Sequence, residues 1–145
     1  MSASRDRPLT DRDYAQLLAL RDELRRFLHW SEQEARVAGL TAAQHQLLLA
    51  VRGHDGDPTV GDVAGHLLLR HHSAVELIDR AQQAGLVQRL IDAEDHRVVR
   101  VGLTADGEAR LAGLSAGHVE ELARLRARLL ADPEGPMPDP GSAPG

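Results

Sequence analysis

Apolar residues recur at helical spacing along most of the chain, and the pattern breaks once, between Leu86 and Thr104. There "LVQRLI" and "RVVRVGLT" read as two short β-strands around the charged turn "DAEDH". One hairpin set among helices confines the chain to a mainly α fold with a small β-hairpin. Before the break, Thr10 and Asp13 make a capping-box-like start for a long amphipathic helix that carries Tyr14, Leu17, Leu18, Leu24, Phe27 and Leu28 and stops at Gly39. A second helix begins at Ala42 or Ala43 and is closed by the turn at Gly56–Pro58. A third, short one takes Thr59 as its N-cap and puts Val60, Val63, Ala64 and Leu67 on one face. The stretch "RHHSAVELIDRAQQAGLV", residues 70–87, gives a fourth, with Ala74, Leu77, Ile78 and Ala81 inward and Gly85 at the C-cap. Helical spacing returns from Thr104 through Leu111, Leu114, Val119, Leu122, Leu125 and Leu129, with Gly113 or Gly117 as points of bending.

The 145 residues, 42% of them hydrophobic, suit one folding unit. We expect a single domain over residues 10–131, a disordered start over 1–9 and a flexible Pro/Gly-rich tail over 132–145. No run of apolar residues is long enough to span a bilayer and the N-terminus is polar, so a cytoplasmic location without membrane contact is expected. Cysteine is absent, which removes disulfides, thiolate metal sites and thiol chemistry. Lysine is absent too, so all 17 basic residues are arginine, a bias that with abundant Ala, Gly and Leu points to a GC-rich bacterial coding sequence. The net charge of −5 argues against non-specific coating of nucleic acid, although the local placement of arginines decides that question. Tyr14, Phe27 and Trp30 are the only aromatics besides histidine, which argues against base stacking and leaves duplex DNA as the nucleic acid to consider. Neither a glycine-rich phosphate loop nor a nucleophile motif is present, so an enzyme is not expected.

The order helix, helix, short helix, helix, hairpin, helix is that of a winged helix-turn-helix, whose fourth helix would enter a major groove while the hairpin, the wing, reaches the flanking backbone. In detail, Asp95-His96-Arg97 followed by Leu103-Thr104-Ala105-Asp106-Gly107, with Asp79-Arg80 and Gly85-Leu86-Val87 before them, resembles the multiple-antibiotic-resistance regulator (MarR) family. The resemblance implies a homodimeric, ligand-responsive transcriptional repressor on a pseudo-palindromic duplex operator. Residues 10–38 and 105–131 would supply the dimerisation helices and residues 42–104 the winged module. It also implies that His71, His72, Ser73 and Glu76 face the groove and that Arg97 is the wing arginine, supported by Asp95. One departure is the short C-terminal region, which shifts weight in the dimer to residues 10–38.

Each of these residues also has a plainer reading. Arg97 suits phosphate or the minor groove, yet could simply pair with Asp95; Arg89 and Arg100 are phosphate candidates or solvated strand residues. Ser73 could bond a phosphate or merely cap its helix, and His71 and His72 could donate to phosphate or base. Glu76 could accept from cytosine or pair with Arg80 one turn on. His29, Trp30, His45 and Arg52 could wall a pocket for a small aromatic or phenolic effector, or Trp30 could be a packing anchor. The eight histidines show no chelating spacing, so no metal or other cofactor is assigned. Two alternatives stay open: a winged-helix sensor or interaction module without DNA binding, and a histidine-based metal-responsive regulator.

Overall fold

The computed structural model describes residues 6–131 and contains five helices and one hairpin: α1 (Asp11–Val37), α2 (Ala42–Gly53), α3 (Val60–Leu67), α4 (His71–Gln83), β1 (Val87–Ile91), β2 (Val99–Leu103) and α5 (Ala105–Leu130). The mainly α winged helix-turn-helix architecture read from the sequence is the one observed. The expectations for residues 1–5 and for the tail over 132–145 lie outside the described residues. Two compact units divide the described chain: residues 30–118, and residues 6–29 with 119–131.

The larger unit holds the core. Three capping signals set its helices. Thr41 and Thr59 each close a full capping box, with Gln44 and Asp62 returning the bond to the cap amide. Gly85, at φ +76°, ends α4 in the left-handed conformation, where the Leu86 and Gly85 amides donate to the Ala81 and Gln82 carbonyls. The C-cap itself is Ala84, one residue before the glycine that the sequence proposes for that role. Between α3 and α4 the chain turns at Leu68, the one described residue other than glycine with a positive φ, at 54°.

Ala74, Leu77, Ile78 and Ala81 of α4 are buried, as the helical spacing requires, against Leu47, Leu48 and Val51 of α2, Val63 of α3 and Val87 and Val101 of the hairpin. The strands pair antiparallel, Val87 opposite Leu103 and Ile91 opposite Val99. A third segment joins them, unforeseen in the sequence: Thr59 bridges to Arg100 and the Val101 amide donates to the Pro58 carbonyl at 2.8 Å. Pro58 offers only a carbonyl, so one bridge is all the segment needs.

The smaller unit has a different character. Tyr14, Leu17, Leu18 and Leu28 are each about 60% exposed, and Val119 is 67% exposed. Leu125 is buried, and Arg128 bridges Glu23 and Glu121 at 2.8 and 3.0 Å. The stripe read along residues 14–28 is therefore present but mostly uncovered in a single chain.

At the start of α5, Thr104 is the N-cap. Its hydroxyl donates to the Gly85 carbonyl at 2.6 Å and accepts from the Gly107 amide at 3.1 Å, while its own amide donates to the Leu86 carbonyl at 3.1 Å. A Cβ at Gly107 would lie 2.0 Å from the Leu86 carbonyl oxygen. Gly107→Ala is therefore expected to lower unfolding free energy by about 3 kcal/mol, the upper range for overpacking, measured by urea denaturation. A Gly113→Ala control, where a Cβ meets nothing within 4 Å, should not fall below wild type.

Candidate nucleic-acid interface

Helix α4 presents two unlike faces. Opposite its buried residues, His71, His72, Glu76, Asp79 and Arg80 are exposed, and Ser73 is half-buried in the first turn. Arg70 is the N-cap and makes no side-chain cap bond. The N-cap reading of Ser73 is thereby corrected: Ser73 is three residues inside the helix and cannot cap it. Absence of a side-chain cap leaves the first turn of α4 open to an external acceptor such as phosphate. Glu76 stands 3.6 Å from Arg80, the one-turn pair that competes with a base contact.

The wing is aimed by a chain of charged hydrogen bonds. Arg100 donates through Nε to Asp92 at 2.7 Å and through a terminal nitrogen to the Asp57 carbonyl at 2.9 Å, joining the wing to the α2–α3 loop. Asp92 also accepts from the Glu94 and Asp95 amides at 2.8 and 3.0 Å. Asp95 in turn accepts from Arg97 three times, from its amide, its Nε and a terminal nitrogen, at 3.1 to 3.3 Å. The Arg97 side chain is nonetheless 91% exposed. Pairing with Asp95 and projection into solvent, read from the sequence as alternatives, thus coexist.

Arg89 and Arg100 behave otherwise. Arg89 binds Asp79 at 2.6 Å and also Gln82, tying β1 to the end of α4. Both arginines have internal acceptors and hold the frame. Asp92 is the residue that sequence reasoning missed; its only signal was an Asp at the start of a turn, two and three residues before the amides it binds.

The three effector candidates of the larger unit do not form one wall. Trp30 and His45 both meet His118 of α5, with ring centroids 4.6 and 4.8 Å apart, and Ser31 bonds His118 at 2.8 Å. Burial, and secondarily the nearby His118, pushes the buried His45 below the usual histidine range. Arg52, two turns further along α2, instead pairs with Glu108 at 2.8 Å at the edge of a cavity of about 380 Å³ lined also by Leu90 and Leu103. His29 belongs to the smaller unit. Trp30 and His45 therefore support the packing reading. Among the described residues no group of three or more His, Asp or Glu side chains could hold a metal ion, and no helix is long and apolar enough to cross a membrane.

This frame of helices and wing can be compared with known proteins. A sequence model of the MarR family matches residues 38–98, from the end of α1 through the wing turn. Over those residues the chain is similar to the MarR family. It is 43% identical over 53 residues to the HTH-type transcriptional regulator YsmB of Bacillus subtilis, an alignment covering 37% of this chain and 36% of that one. To the HTH-type transcriptional repressor MdtR of the same organism it is 28% identical over 86 residues, 59% of this chain and 55% of MdtR. The chain thus spans about a third and about half of these two relatives. The crystal structure of AbsC, a MarR family regulator from Streptomyces coelicolor, superposes with a TM-score of 0.71 at 25% identity, covering 86% of this chain and 85% of that one. In this chain the Leu-Thr-x-x-Gly motif is the α5 cap described above, and Asp-x-Arg is the hydrogen-bonded aim of the wing.

The wing also has an acid limit. Its bond from Arg100, and next the Asp95 and Glu94 amides, hold Asp92 down at about 2. An unfolded aspartate titrates near 3.9. A depressed carboxylate stabilises above the unfolded value and loses that contribution as pH falls through the folded one. Between about pH 4 and pH 2 the Glu94 and Asp95 amides should lose hydrogen-exchange protection before those of Leu47 and Leu48, and Asp92→Asn should show the loss already at pH 6.

Proposed function

We propose that this chain is a sequence-specific duplex-DNA-binding transcriptional regulator that acts as a homodimer, with repression as its default action. The observation that carries the reading is α4: a helix with one fully buried face, an exposed polar face and no side-chain cap on its first turn. Laid in a major groove, it offers His71, His72 and Glu76 to base edges or phosphates and the Ser73 turn to phosphate. Arg97, exposed and steadied by Asp95, reaches the flanking backbone or minor groove. Repression rests on the similarity to MdtR, a named repressor.

Dimerisation is supported by the exposed Leu17, Leu18 and Leu28 of α1 and Val119 of α5, an apolar surface that a soluble monomer does not keep in water without a partner. In this reading, affinity for an effector is a secondary matter. Trp30 and His45 each meet the His118 ring, so an aromatic ligand entering between them must displace one of these rings.

Fluorescence anisotropy on the upstream intergenic duplex and a scrambled duplex, across a salt series, tests the DNA reading. Wild type should prefer the upstream duplex by about a hundredfold or more, and Arg97→Ala should weaken binding and flatten the salt slope by about one per protomer. Equal weak binding to both duplexes, unchanged by Arg97→Ala, would sink it in favour of a protein partner. Light scattering should give twice the 15.7 kDa chain mass at micromolar concentration. A double Leu17→Glu, Leu28→Glu variant should shift dissociation by more than about tenfold, as the burial of two leucines in the dimer implies.

A further inference from the structure

Two histidines that the sequence leaves far apart meet in the fold. His54 is the C-cap of α2 and His66 lies in the last turn of α3. Their Nδ1 and Nε2 atoms face each other at 2.9 Å, with rings nearly perpendicular at 81°. The other nitrogen of His54, Nε2, stands 3.5 Å from the Asp62 carboxylate, which the Thr59 capping box fixes in place. From the structure we infer a transition-metal site at His54 and His66, suited to a divalent copper or nickel ion.

The chemistry follows from three features. Imidazole nitrogen is a good donor for copper, nickel and zinc, and two such nitrogens already point into one gap. Metal–imidazole bonds of about 2.0–2.1 Å place two nitrogens about 2.9 Å apart when the bonds meet at a right angle, and about 3.4 Å apart at the tetrahedral angle. The observed 2.9 Å is the length of the hydrogen bond between the two free rings, and a small tilt opens it to either value; with no third protein ligand among the described residues, the water-completed square-planar or octahedral sites of Cu(II) and Ni(II) suit the pair. Behind the pair, Asp62 takes the outer position that a carboxylate holds behind a metal-bound histidine, orienting the ring and raising its basicity.

Binding moves the shared hydrogen off the facing nitrogens to the other nitrogen of the same ring, which on His54 is Nε2 beside Asp62. The pair is now joined by one N–H, and a metal takes its place once both nitrogens are deprotonated and each ring tilts so that the lone pairs converge beside the line between them. His66 is exposed and His54 a quarter exposed, so the tilt meets little packing. No third His, Asp or Glu of the described chain completes a protein-only site, which leaves the remaining positions to water. Room for it exists: His54 and His66 both line an open cleft of about 480 Å³ with Gln46, Leu49 and Leu67. The site joins α2 to α3 and stands whether or not α4 binds DNA.

Isothermal titration of the full chain with CuCl2 and with NiCl2 at pH 7.5 tests it. We expect one saturable site per protomer, copper tighter than nickel. Either His54→Gln or His66→Gln should weaken it by more than the tenfold to hundredfold, roughly, that losing an outer partner costs. The double His71→Gln, His72→Gln variant should bind as wild type does. Electron paramagnetic resonance of the Cu(II) wild-type protein, which needs no variant, should show a tetragonal signal with two nitrogen donors. No saturable binding, binding that survives both single substitutions, or a copper signal with one nitrogen or none overturns the inference.

Discussion

The fold turns on the close approach of the α5 N-terminus to the Leu86 carbonyl. Thr104 satisfies three partners at once there, two of them backbone groups of residues 85 and 86 that the end of α4 leaves open. Those bonds fix where β2 must end, and the antiparallel register, with Leu103 opposite Val87, fixes where the wing turn falls. A side chain at position 107 would hold the helix off by more than an ångström, and the wing with it. A Thr three residues before a Gly is thus a packing requirement, and its consequence appears some distance away, in where Arg97 projects.

From that junction outward, charge is used mainly to position. Arg100 anchors Asp92, Asp92 gathers the turn amides, and Asp95 steadies Arg97. Exposed ion pairs add little to stability individually. Here their value is geometric, since each carboxylate also accepts backbone N–H groups and so ties a side chain to a turn that has no apolar core of its own.

Local signals were legible wherever a residue's role is set within a turn or two of its own position. Thr10 with Asp13, Thr59 as a cap, Gly39 and Gly85 as stops, and the four inward positions of α4 all follow from periodicity and capping, and all are present. Roles set across the fold were not legible. Nothing in the spacing of residues 54 and 66, or of 45 and 118, says that helix packing will bring their rings together. Arg52 shares a face of α2 with His45, which made a common pocket reasonable, but two turns of rise, about 10 Å, send it to a different part of α5. The Pro58–Thr59 edge beside β2 is two residues long, too short to show any alternation.

The acidic net charge of −5 and the DNA-binding reading are reconciled by the same pairing. Of the three wing arginines, Arg89 and Arg100 are bound to Asp79 and Asp92, so each carries its own counter-charge into any complex. Arg97 has Asp95 beside it as well, but its 91% exposure leaves most of the guanidinium for a phosphate. In the proposed complex few counterions would then be released per protomer, and non-specific affinity, which depends on that release, would stay low. An interface of this kind would discriminate by fit in that complex: a helix dipole at α4, a few donors in the groove and one well-aimed arginine would favour the correct duplex, while the surrounding carboxylates would penalise a poorly seated one.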